Sequence, residues 1–88
     1  MRSDGVGGGE GWASALGAAV RRRRKGLGLT QIELSTLAGC GPVFIYDLER
    51  GKKPTLRLDK LIDVLAVLGL QLALEPGKAA FRVSGDLA

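Results

Sequence analysis

Residues 30–51, TQIELSTLAGCGPVFIYDLERG, restrict what this chain can fold into more than any other stretch. Thr30 and Glu33 form a T-x-x-E pattern, in which the threonine hydroxyl accepts an amide proton from the first helical turn and the glutamate reaches back to the threonine amide. A helix therefore starts at Gln31, with Ile32, Leu34, Leu37 and Ala38 expected to face inward, and Gly39 supplies the permissive backbone that closes it. Pro42 follows Gly41 at the first position of a second helix, where its missing amide costs nothing and its φ is already helical. In that helix Ile45 and Leu48 are three apart and face inward, Phe44 and Asp47 share another face, and Gly51 stops it. The two short helices thus meet across a glycine-containing turn.

The flanking segments read as scaffold. Trp12, Leu16, Ala19, Val20, Arg23 and Leu27 recur at spacings of three and four, one face of a helix ending near Gly26 or Gly28. Its last turn holds the basic run from Arg21 to Lys25, which complements the negative pole of the helix and otherwise faces solvent. After a loop, Leu58, Leu61, Ile62, Leu65 and Leu68 make an apolar stripe widened by Val64 and Val67, a fourth helix stopped by Gly69. Leu70, Leu72 and Leu74 then alternate with Gln71, Ala73 and Glu75, which predicts a short strand. A lone strand leaves open amides, so it is expected to pair with its symmetry mate in a dimer; a hairpin turned at Pro76-Gly77 onto residues 80–83 is the alternative. The expected organisation is a Gly-rich disordered tail over 1–11, one domain over 12–75 and a mobile tail over 76–88. A minor-groove arm through Arg2 is the alternative reading of the first tail.

Eighty-eight residues give one small domain with a thin core, for which oligomerisation is a sensible prior. Apolar residues at 45% and aromatics at 5% favour a core of Leu, Ile, Val and Ala in helices packed on helices. A net charge of +4 and a pI near 9.7 suit a polyanionic partner without establishing one, and a second basic group, Arg50, Lys52, Lys53 and Arg57, follows the second short helix. Cys40 is the only cysteine and there is no histidine, so neither an internal disulfide nor an ordinary zinc site is expected, and a reducing cytoplasm fits. The apolar run over 64–74 is too short for a bilayer, so no membrane partner is expected. No Ser or Cys has a base at catalytic spacing and there is no phosphate-cradling loop, which argues against an enzyme and against any cofactor.

The segment L-G-L-T-Q-x-E-L-x-x-L-A-G, with I-Y-D-L-E-R-G-K after the turn, resembles the Xre or phage-repressor class of helix-turn-helix over roughly residues 16–68. The resemblance implies a lambda-repressor-like all-α bundle of four helices, here with the C-terminal strand pairing across a dimer. LDKLIDVLAVLGL running into LQLALE is further similar to HipB-type antitoxins, which as a family are homodimers that repress their own operon and bind a HipA-like kinase toxin. Carried over by position, the second short helix enters the major groove of double-stranded DNA with Gly41, Pro42, Val43, Phe44, Tyr46 and Asp47 facing the bases. Relatives place Gln, Arg or Ser near these sites. With Pro42 and Val43 where bidentate donors would be expected, what remains is apolar contact from Val43 or Phe44 to a thymine methyl, Tyr46 to phosphate or a base edge, and Asp47 accepting from a cytosine amine, with specificity leaning on shape; core or interface packing is the alternative for Phe44. Phosphate contacts fall to Gln31 and the amides beside it, to Lys52 and Lys53, and to Arg22, Arg23 and Lys25. The resemblance also implies an ion pair between Arg24 and Glu49, and a small buried hydrophobe at Cys40. The leading expectation is a dimeric repressor on a pseudo-palindromic operator, the antitoxin of such a toxin pair. The alternatives are an Xre regulator without a toxin partner and a protein-binding antitoxin with weak DNA contacts.

Overall fold

The computed structural model describes residues 9–51 and 55–85. They form four helices, α1 (Gly9–Gly26), α2 (Gln31–Ala38), α3 (Pro42–Arg50) and α4 (Leu58–Val67). Residues 1–8, residues 52–54 with Lys52 and Lys53 among them, and residues 86–88 lie outside the described residues, and with them most of the tail expected over 1–11.

The helix boundaries follow the local chemistry. At α2 the capping box is complete: Glu33 donates its amide to Thr30 Oγ1 at 3.0 Å, and the Thr30 amide donates to Glu33 Oε1 at 2.8 Å. Gly39, at φ 72, ends that helix, and the Cys40 amide closes the turn on the Ser35 carbonyl at 3.0 Å. Gly69 ends α4 in the same way, with the Leu70 amide reaching back to the Leu65 carbonyl at 2.8 Å.

The core is one cluster drawn from all four helices: Leu16 and Val20 of α1, Leu34 of α2, Ile45 and Leu48 of α3, and Leu61, Val64 and Leu65 of α4 with Leu68 just past its end. Two glycines set how closely α1 and α3 approach. A Cβ on Gly17 would lie 2.3 Å from the Leu48 carbonyl oxygen, and one on Gly51 would lie 2.7 Å from Ser14 Cα. Gly51 also has φ 65, so both space and backbone geometry select glycine there.

Several inward-facing expectations are corrected. Ile32 and Leu37 are 51% and 62% exposed, whereas Leu34 and Ser35 are buried. At about 100° per residue, Leu34, Ser35 and Ala38 share an arc that Ile32 and Leu37 flank on either side. The buried Ser35 hydroxyl is satisfied within the helix, donating to the Ile32 carbonyl at 2.8 Å. On α4 the buried face is Leu61, Val64, Leu65 and Leu68, while Leu58 and Ile62 are exposed, and Leu27 is exposed beyond the end of α1.

The strand expected through Leu70, Leu72 and Leu74 is not formed; among the described residues there is no strand. Leu70 packs against the core and its amide is spent on the α4 turn, but Leu72 and Leu74 are exposed. Period-two alternation specifies a strand only where a ladder partner and a buried face exist. Neither is supplied here, and pairing across a dimer through this segment falls with the strand. The chain instead runs on without regular structure until the Phe81 ring reaches Trp12 of α1, with centroids 6.4 Å apart and planes tilted by 53°.

Candidate nucleic-acid interface

Ile45 and Leu48 fix the rotation of α3 by burying one face. Helical geometry then turns Val43 and Arg50 directly away from the core, with Tyr46 and Asp47 on either side of them and Phe44 nearer the core. Val43 is 63% exposed, and Gly41, Pro42 and Arg50 are exposed as well. Tyr46 and Asp47 are half-buried. Phe44 is partly buried and packs against the core, so less of its ring is open to an outside partner than of Val43.

Beneath this face lies a polar network. Arg24 Nε donates to Glu49 Oε2 at 2.6 Å and Nη2 donates to Oε1 at 2.9 Å, a two-pronged pair whose side chains are 8% and 2% exposed. Arg24 Nη1 donates to the Leu29 carbonyl at 2.8 Å, so the one guanidinium ties α1 to α3 and to the approach to α2. The hydrogen bonds that Arg24 donates to Glu49 hold the Arg24 pKa above its ordinary value against the opposing effect of burial. Gln31 Nε2 donates to Glu49 Oε1 at 3.1 Å, which seats the start of α2 against the flank of α3.

The proposed phosphate residues divide. Arg22 and Lys25 are exposed at the end of α1. Arg23 is half-buried, its Nε donating to the Leu68 carbonyl at 2.8 Å, so it caps the C-terminus of α4. The capping box uses the Glu33 amide, and helix geometry leaves the Gln31 and Ile32 amides at the α2 terminus without intrahelical acceptors. Lys52 and Lys53 are among the undescribed positions.

Sequence reasoning missed Lys60 and named Arg57 only as part of a basic group. A cleft between α3 and the start of α4 brings Arg57 and Lys60 beside Val43, Phe44 and Asp47. The Lys60 ammonium sits over the Phe44 ring, 5.8 Å from its centroid. Arg57 is paired with Asp59 at 2.6 Å on the surface, and those hydrogen bonds lower the Asp59 pKa. The basic group 50, 52, 53 and 57 was visible as composition, but only the fold places Arg57 beside the start of α3. Cys40 is half-buried in the turn, where burial pushes its thiol pKa up. Among the described residues no group of His, Cys, Asp and Glu could hold a metal ion, and no helix is long and apolar enough to cross a membrane.

A capped helix, a left-handed glycine turn and a second helix presenting a solvent-facing flank define a helix-turn-helix. The chain belongs to the helix-turn-helix family HTH_3, whose model matches residues 20–74. It is 47% identical over 64 residues to y4mF of Sinorhizobium fredii (strain NBRC 101917 / NGR234), an uncharacterized HTH-type transcriptional regulator. That alignment spans 72% of this chain and 83% of the relative.

Proposed function

We propose that this protein is a sequence-specific DNA-binding regulator that represses transcription as a homodimer, with α3 in the major groove and the start of α2 on the adjoining backbone. The observation that carries the reading is the rotation of α3: burial of Ile45 and Leu48 leaves Val43, Tyr46 and Asp47 as its outward face, while Gln31 is seated beside it on Glu49. Family membership and the regulator name of the S. fredii relative support it. Val43 offers apolar contact to thymine methyls, Asp47 accepts from a cytosine amine, and Arg22, Lys25, Lys52, Lys53 and the α2 amides meet phosphates. Two half-sites about one helical turn apart then read a pseudo-palindrome. A mobility shift with the DNA upstream of its own coding region tests this: salt-sensitive binding supports it, and no binding rejects it.

The finer role, antitoxin to a HipA-like kinase toxin, rests on the likeness of residues 58–75 to HipB-type antitoxins. Co-purification with the product of a neighbouring kinase-like reading frame supports it. A genome neighbourhood without such a frame favours an Xre regulator acting alone.

A further inference from the structure

Resting on the DNA-binding reading, we infer that Lys60 is a phosphate-binding residue and that Phe44 positions it. A helix in the major groove, which is about 12 Å wide, has a sugar-phosphate backbone along each side. One side of α3 is occupied by the start of α2, through the Gln31 bond to Glu49 at 3.1 Å. Glu49 and Phe44 are five positions apart, so they project from α3 about 140° apart, at about 100° per residue. Phe44 therefore marks the opposite flank, and what it meets there is Lys60, near the start of α4. The two DNA strands beside α3 are met by different helices, α2 on one side and α4 on the other.

The local chemistry fits a phosphodiester. Among the described residues Lys60 is in no ion pair, so its charge is available to an anion. The Phe44 ring is held by the core on one side and offers its face to the ammonium on the other, which restrains a side chain that is otherwise flexible. The cleft beside it also opens onto Val43 and Asp47, so a backbone contact at Lys60 lies next to the residues turned toward the bases. Phe44, one of two candidates from the sequence for a thymine methyl, is thereby reassigned from the base edge to the support of a cation.

The test is the salt dependence of binding to a labelled duplex from upstream of the protein's own coding region. The comparison is between the wild type and Lys60→Ala, Lys60→Arg and Phe44→Leu, each checked by thermal melting. Lys60→Ala reduces the slope of log affinity against log salt by about 1 per half-site. Its loss of affinity between about 50 and 200 mM salt is accordingly three- to fourfold smaller per half-site, and on the order of tenfold smaller for a dimer on both half-sites, than that of the wild type. Lys60→Arg keeps the slope. Phe44→Leu lowers the slope although Lys60 is intact, and adding Lys60→Ala to it lowers it no further. If the wild type binds with a salt slope that Lys60→Ala leaves unchanged, the assignment of Lys60 is overturned. If only Phe44→Leu leaves the slope unchanged, the positioning role is overturned. If the wild type shows no salt-sensitive binding, the DNA-binding reading fails as a whole.

Discussion

Arg24 and Glu49, separated by 25 positions in sequence, meet through two hydrogen bonds of 2.6 and 2.9 Å beneath the exposed face of α3. Both side chains are almost wholly buried, so each charge depends on the other for what water would otherwise supply. Arg24→Ala leaves the Glu49 carboxylate buried with only Gln31 as a side-chain donor, and is expected to cost about 3 to 5 kcal/mol. Thermal melting of Arg24→Ala, Glu49→Ala and an Arg24→Met/Glu49→Leu double variant checks this. The double variant is expected to be more stable than either single one, because no unpaired charge remains. An unchanged melting temperature in Arg24→Ala would remove this pair from the account of how α3 is anchored.

Gly17 makes an opposite demand, for space. Alanine is the better helix former by about 1 kcal/mol, so an exposed Gly17 would be stabilised by the change. Here the added methyl falls 2.3 Å from the Leu48 carbonyl oxygen, a backbone atom that cannot swing aside. Overpacking of this kind costs about 1–3 kcal/mol, so the steric effect outweighs the propensity gain. Gly17→Ala lowers the urea midpoint, whereas a raised midpoint would mean that α1 and α3 are less tightly apposed than described.

The aromatic contact between Trp12 and Phe81 gives a spectroscopic handle, since Trp12 is the only tryptophan. Phe81→Ala exposes the indole, shifts its emission to the red and lowers stability by about 0.5–1.5 kcal/mol. An emission spectrum identical to that of the wild type would show that residues 76–85 do not rest on α1 in solution.

The parts of the fold that were legible in the sequence are those set by local chemistry. Thr30, Glu33, Gly39, Pro42 and Gly51 mark helix ends because caps and turns act within a few residues. What depends on how helices pack was harder to read. Ile32 and Leu37 look like core on hydropathy, yet the rotation of α2 is set by where α3 and α4 lie, and it brings in Ser35 instead. Gly17 carries no hydropathy signal, and its importance appears only when α3 is laid against it. The alternation at Leu70, Leu72 and Leu74 is real as a pattern, but a strand needs a partner that the pattern cannot supply. The Lys60 contact with Phe44 spans 16 positions and no periodicity announces it.

The central claim, that the outward face of α3 reads DNA, turns on Val43, which is exposed and outside the core cluster. The most direct measurement is fluorescence anisotropy of the duplex from upstream of its own coding region against an unrelated duplex, for the wild type and Val43→Glu. The account predicts that the wild type prefers its own DNA by about a thousandfold or more, and that Val43→Glu abolishes that preference with an unchanged melting temperature. Equal binding to both duplexes by the wild type, or full preference retained in Val43→Glu, would contradict it.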